Sequence, residues 1–195
     1  MKKNKCSDKT KAKIALALNE LMKTTSFEKI TVSDITNQCK IHRQTFYYHF
    51  QDKYELLDWI VYNDILNPLV TDLTIDNIFD KIYDLFETMS KNKSFYQNAI
   101  KLNSDDFSKC LSRVAYDKFI NIIHEIGTAH GINSDDPKNT VLVAEFFSYG
   151  ISGIIESWVL NGMKESPKEM KERIEMLVDS FKQLIIQRTK NTTDI

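Results

Sequence analysis

Apolar side chains recur along this chain at intervals of three and four residues from near its start almost to its end, the period of an α-helix that turns one face to a core. Ile14, Leu18, Leu21 and Met22 form one such stripe within residues 7–25, with lysines behind it, and predict a first helix. In TSFEKITVSDI the apolar positions are Phe27, Ile30 and Val32, and Thr31 stands three residues before Asp34. A hydroxyl three residues ahead of an acid is the pattern of a capping box, so a second helix is expected to start near Val32. It is short, with Ile35 and Cys39 on one side before Lys40-Ile41-His42, and HRQTFYYHF then reads as another short helix. Phe46 and Phe50 fall on its core side, with Thr45 close to it. Two short helices joined by about three residues make a helix-turn-helix, whose second member can lie in a DNA major groove.

Beyond this unit the pattern lengthens. Asp52 is expected to cap a helix carrying Leu56, Leu57, Ile60, Val61, Ile65 and Leu66 and ending before Pro68. Amphipathic segments follow over residues 76–91, 95–102 and 105–128, the last stopped by Gly127 and Gly131. Pro137 opens a helix where a missing N–H costs nothing, and Gly162 closes it. Ser166-Pro167-Lys168-Glu169 opens the last helix, with Ile174, Leu177, Val178, Phe181, Leu184 and Ile185 on its apolar side. From Thr189 the pattern stops, and a frayed tail is expected over 189–195. The fold class is therefore all-α, with a helix-turn-helix domain over 1–53 and a helical body over 54–188.

Composition narrows the chemistry. The 195 residues include 5 Gly and 3 Pro, where ordinary usage gives about 14 and about 10. Folds that need many turns, or glycines clustered at a phosphate loop, lose ground together. No two glycines stand at GxG spacing, and no glycine precedes Lys and then Ser or Thr. The three cysteines, Cys6, Cys39 and Cys110, offer no CxxC pair, and an odd number reads as reduced thiols in a cytoplasm. His124-Glu125 opens like a zincin motif, yet Thr128 occupies the second ligand position and His130 lies about 240° farther around a helix. Neither a metal nor a cofactor is expected. The longest apolar stretch, Phe146 to Ile155, is fenced by Glu145 and Glu156 and falls short of the roughly 20 residues a membrane span requires. With no nucleophile–base pair either, the chain reads as non-enzymatic.

Charge then divides the molecule. The formal net charge is −1. Residues 1–53 hold 11 Lys and Arg against 5 Asp and Glu, leaving 15 against 22 for the other 142 residues. A head of +6 on a body of −7 is the electrostatic footprint of a nucleic-acid reader whose second domain stays off the nucleic acid. Charge alone leaves a second reading open, in which the basic head binds an acidic protein or membrane surface.

The segment TVSDITNQCKIHRQTFYYHFQDKYELL resembles the DNA-binding signature of TetR-type (TetR/AcrR) transcriptional regulators, over about residues 10 to 58. That resemblance implies about nine helices, a homodimer made through the final two, and a palindromic DNA operator. Two departures stand out: the turn glycine usual in the family is Lys40, and the glycine usual two residues beyond the recognition-helix cap is Gln44. A residue with a Cβ at position 40 would have to take a left-handed conformation, at about 1 kcal/mol. KIHRQTFYYHF is similar to a subgroup that activates dihydroxyacetone-kinase operons, in which a kinase-like protein coactivator stands in for a small-molecule effector. Arg43 and Gln44 open the recognition helix over 42–49, where Arg suits guanine O6/N7 and Gln suits adenine N6/N7. Thr45 and Tyr47 match positions near the groove floor. Tyr48, His49 and Lys53 match backbone-contacting positions, with Thr31 and Ser33 adding hydroxyls and N–H groups.

In the body, the resemblance implies an effector cavity lined by a subset of Tyr62, Tyr83, Phe86, Tyr116, Phe119 and Tyr149, although aromatic stripes of this kind also fill cores. For the dimer, Phe147, Ile151, Ile155, Trp158, Leu177, Phe181, Leu184 and Ile185 supply more apolar surface than a terminal helix pair needs to sit on its own domain, and a four-helix interface is expected.

Overall fold

Three short amphipathic segments cannot each bury a stripe alone, and in the computed structural model they do so against one another. The structure describes residues 2–74, 76–102, 104–129 and 137–193, without the side chains of 2–6, 102, 104–107, 110, 122, 124–129, 137–139 and 181–193. Nine helices and no strand occur among these residues. Helix α1 (Lys2–Met22) lies across α2 (Val32–Gln38) and α3 (Arg43–His49), with a 3-10 turn at Phe27–Lys29 between α1 and α2. Ile14, Leu18, Met22, Phe27, Ile30, Ile35, Phe46 and Phe50 are all buried, so the stripe read on α1 meets the core side of both short helices.

Helix α4 begins at Lys53–Val61, widens into a π-turn at Tyr62–Leu66, and resumes at Asn67–Val70. It was expected to end before Pro68. In the wide turn the Asn67 N–H reaches back five residues to the Tyr62 carbonyl. An i to i−5 register relieves the clash a proline ring makes with the carbonyl four residues back, so the helix passes through. Leu56, Ile60, Ile65 and Leu66 are buried along it, and one apolar cluster runs from α1 to the last helix without a break.

The body consists of α5 (Ile78–Lys91), α6 (Lys93–Leu102), α7 (Ser104–Ala129), α8 (Pro137–Leu160) and α9 (Pro167–Thr193). Helix α7 runs through Gly127, as a lone glycine costs a helix only about 1 kcal/mol, and α9 continues four residues past Thr189 because neither Gly nor Pro interrupts it. The most extensive contact joins α7 to α8, and α9 packs on α5. Gly162 closes α8 at φ +90°, its N–H bonded to Val159 O and the Met163 N–H to Trp158 O, the paired bonds of a Schellman stop. Ser166 and Glu169 form the expected box at the start of α9: Ser166 N donates to Glu169 Oε2 at 2.7 Å and Glu169 N to Ser166 Oγ at 3.3 Å. Helix α6 ties head to body, with Asn98 Nδ2 donating to Met22 O of α1 at 3.0 Å and Gln97 Nε2 to Val159 O of α8 at 3.3 Å.

Two expectations for the body change. Of the residues expected at a dimer interface, Ile155 and Trp158 are buried in this protomer's own core, Ile151 packs half-buried against it, and Phe147 is half-buried. Trp158 stacks edge-on against Phe86 at 4.8 Å and donates its indole N–H to Glu165 O at 3.0 Å. The outward stripe of α8 stands one position over, at Leu142, Phe146, Tyr149, Gly150, Gly153, Ser157 and Leu160. Its side chains are smaller or fewer than those of the inward stripe. Leu177 is exposed, whereas the side chains of Phe181, Leu184 and Ile185 lie outside the described residues, as do those of Cys6, Phe107, Cys110 and His124 and all of His130.

Of the six candidate effector-site aromatics, Tyr116 and Tyr149 line one open groove between α7 and α8, and the other four do not join them there. Phe86 is fully buried in the core, Tyr62 and Tyr149 are exposed, and Tyr83, Tyr116 and Phe119 are half-buried. Phe119 lines an apolar cavity with Ile82, Leu85, Leu111 and Ile155, but its volume of about 30 Å³ suits a water or two, against the roughly 300 Å³ at which drug-sized sites begin.

Candidate nucleic-acid interface

The geometry of α3 is set before α3 begins. Thr31 N donates to Asp34 Oδ2 at 2.8 Å and Asp34 N to Thr31 Oγ1 at 3.2 Å, the reciprocal pair of a capping box. The Thr31 hydroxyl also donates to that carboxylate at 2.7 Å, and these bonds, the side-chain one foremost, hold the Asp34 carboxyl below its usual pKa. At the other end of α2, Lys40 takes φ +51°. Lys40 N donates to Asn37 O at 3.2 Å and Ile41 N to Thr36 O at 3.0 Å, a Schellman stop built without glycine. His42 follows as the extended N-cap of α3, with no side-chain bond to the helix.

This turn aims one face of α3 inward and the rest outward. Phe46 and Phe50 are buried and lie against each other at 5.9 Å. Arg43 and Gln44 are exposed, Thr45 is half-buried, and Tyr47 and Tyr48 are 48% and 78% exposed. Arg43 Nη2 contacts the Tyr47 hydroxyl at 3.1 Å, with its guanidinium carbon 5.7 Å from the ring centre. The pair is pre-positioned on the outer face, its planar fork still able to take a base edge.

Two expected contact residues have other work, and a third is uncharged. Lys53 Nζ donates to the carbonyls of Phe27, Glu28 and Ile30 at 2.9, 3.0 and 2.8 Å and sits 4.7 Å from the Phe27 ring centre. An ammonium has three protons, and all three are taken. Lys53 therefore clamps the start of α4 to the turn after α1, and donation to a phosphate would require breaking one of these bonds. Thr31 likewise spends its hydroxyl proton on Asp34, leaving Ser33, which is half-buried, as the hydroxyl at the start of α2 without such a bond. His49 has its pKa pushed down, first by burial and then by the nearby Lys11 charge, so at neutral pH it offers an N–H without a positive charge.

Two residues were missed. Lys11 places its ammonium 5.4 Å from the Phe50 ring centre and 5.9 Å from that of Trp59, bracing α1 against the ends of α3 and α4 by cation–π contact. Tyr54 is 56% exposed, with its ring edge-on to Phe27 at 5.2 Å. It follows Asp52, whose carboxylate accepts from Tyr54 N and Glu55 N at 2.8 and 2.9 Å. The Tyr at the second helical position of an Asp-capped helix was the available signal; Lys11 carried none beyond its place in a run of lysines.

Residues 14–60 match the family described as bacterial regulatory proteins, tetR family, and residues 76–180 match a transcriptional regulator C-terminal region of the same family. The chain belongs to the TetR family. Over 92 residues it is 34% identical to the HTH-type dhaKLM operon transcriptional activator DhaS of Lactococcus lactis subsp. lactis (strain IL1403). That alignment takes in 47% of this chain and 49% of the relative, about half the length of each. A solved structure titled dihydroxyacetone kinase operon activator DhaS superposes with a TM-score of 0.70 over 90% of this chain and 97% of its own, at 24% identity, which establishes the shared fold.

Proposed function

We propose that this TetR-family chain is a sequence-specific DNA-binding transcriptional regulator that works as a homodimer on a palindromic operator. The observation that carries the reading is the outer face of α3, where Arg43, Gln44, Tyr47 and Tyr48 stand exposed on a helix locked by a capping box before it and a left-handed turn beside it. Arg43 and Gln44 read base edges. Thr45 and Tyr47 meet the groove floor, and Tyr48, Ser33 and neutral His49 donate to phosphates. Lys53 supports this surface from behind. The division between head and body falls inside α4, whose first turns brace the head through Trp59 and whose later ones enter the body.

Dimerisation uses the outward stripe of α8 around Phe146 and Tyr149 together with Leu177 of α9, because this is where large apolar side chains remain exposed. No helix among the described residues is long and apolar enough to cross a membrane, and operator binding places the protein with the cytoplasmic DNA. The likeness to an operon activator supports activation as the sign of regulation, with a ligand or partner protein setting activity through the body and no catalysis by the chain itself.

Selection from a pool of random duplexes tests this. The expected product is an inverted repeat whose half-sites lie about one helical turn apart. Retention of every sequence alike, with affinity falling only with salt, would overturn it in favour of charge-driven binding.

A further inference from the structure

The head is held to the body through α4 and through α6. Helix α4 is continuous, but it carries the π-turn at Tyr62–Leu66 and Pro68 just beyond. Those are the places where helices bend, so α4 alone would hold the direction of the head loosely. Helix α6 packs against α1 and the 3-10 turn on the head side and against α8 on the body side. Two adjacent amides on it reach opposite ways. Asn98 Nδ2 donates to the carbonyl of Met22, the last residue of α1, and Gln97 Nε2 to that of Val159, near the end of α8. The last carbonyls of a helix find no partner within it. Met22 is buried and the Asn98 bond part-buried, so that carbonyl depends on the amide. Three residues earlier on the same face of α1, Asn19 Nδ2 meets Asn92 Oδ1 at 3.4 Å, just before α6 starts. Apolar packing at this joint holds the two parts together without preferring a direction, whereas hydrogen bonds to a carbonyl prefer one.

We propose that Asn98 is a positioning residue for operator recognition: by fixing the angle of the head on the body, it sets the half-site spacing the dimer accepts. The inference rests on the reading of the chain as a homodimer on a palindromic operator. One base pair added between half-sites moves one of them by about 3.4 Å and turns it by about 34° around the duplex. Heads held at one angle cannot follow that shift, and heads released from Asn98 follow it by bending at the π-turn. Asn98 bonds to the far end of α1 and not to α3, so it governs which spacings are bound and not which bases are read. Gln97 joins two body helices and has no such role.

Fluorescence anisotropy tests this with the full chain on the selected operator, on versions with the half-sites one or two base pairs closer or farther apart, and on single-base variants. The wild-type chain is expected to prefer one spacing over its neighbours at least about tenfold, the order of losing one good base contact. Asn98→Leu, similar in size and without a donor, is expected to bring that preference below about threefold and to keep the wild-type ranking of single-base variants. Asn98→Asp, the same shape and also without a donor at neutral pH, gives the same broadening and stands in should the first variant not fold. Gln97→Leu removes a bond of the same kind from the same helix and keeps the sharp preference, which separates positioning from loosened packing. Sharp spacing preference in both Asn98 variants, equal broadening in Gln97→Leu, or a wild-type chain that ranks bases but accepts every spacing alike would each overturn this inference alone. A wild-type chain that ranks neither bases nor spacings would overturn the operator reading and this inference with it.

Discussion

The head and the body both expose large apolar side chains, but of different kinds. Around α3 and the start of α4 the exposed rings are Tyr47, Tyr48 and Tyr54, each with a hydroxyl at its tip. On α8 and α9 the exposed apolar side chains among the described residues are Val141, Leu142, Val143, Phe146, Leu160, Met176 and Leu177, with Tyr149 the one that bears a hydroxyl. A ring with a polar end suits a wet, charged surface such as a DNA groove, whereas aliphatic and phenyl groups gain only by meeting another apolar face. One chain thus presents two unfinished surfaces, and their chemistry separates nucleic acid from a second protomer.

The largest effect should come from the body. Phe146→Asp puts a charge in the middle of the outward stripe and is expected to raise the dimer dissociation constant at least about 100-fold, some 2.7 kcal/mol, as read by analytical ultracentrifugation. Ile155→Val, on the inward stripe, should lower stability by about 1 kcal/mol and leave the dimer constant unchanged. If the two exchanged effects, the dimer would belong to the stripe first expected from sequence. Next in size is Lys53→Met in the head. Loss of a charged donor shared by three carbonyls should cost about 2 kcal/mol in urea unfolding and leave the salt slope of DNA binding unaltered. A slope reduced by about one with unchanged stability would return Lys53 to the phosphates.

Much of the fold was legible because helices announce themselves by period and caps. The Thr31–Asp34 and Ser166–Glu169 boxes, and the stops at Lys40 and Gly162, involve residues within six of one another in sequence, so local pattern suffices. Pro68 misled because the π-turn that absorbs it leaves no residue signature. The register of α8 was not legible for another reason: both its faces are apolar, and packing against α7, α6 and the Phe86 ring of α5 decides which is inside the protomer. Lys53 fell outside local reasoning altogether, since the carbonyls it holds lie 23 to 26 residues earlier.

Smaller effects refine the turn and the edge of the reading face. Lys40→Gly relieves a left-handed residue and is expected to stabilise the head by roughly 1 kcal/mol, against the added freedom of glycine in the unfolded chain. Urea unfolding measures it, and no gain would mean that the Lys40 side chain contributes what its backbone costs. The folded pKa of His49 lies below its unfolded value, so its contribution to stability is fully present above about pH 6.5 and is lost as pH falls through the folded pKa. His49→Gln should accordingly change stability at pH 5.5 in the favourable direction and leave the salt slope of operator binding at pH 7.5 unchanged. A shallower slope at pH 7.5 would mean that His49 is charged on DNA.

The most direct test of DNA reading is base discrimination by Gln44, exposed at the second position of α3. Binding of the wild-type chain and of Gln44→Ala is measured by fluorescence anisotropy, at one salt concentration, on the selected operator and on all its single-base variants. The expected result is that Gln44→Ala loses about 1–3 kcal/mol of discrimination at one base pair per half-site and keeps wild-type preferences at the others. Uniform weakening across every variant, with the pattern of preferences intact, would contradict base readout by α3.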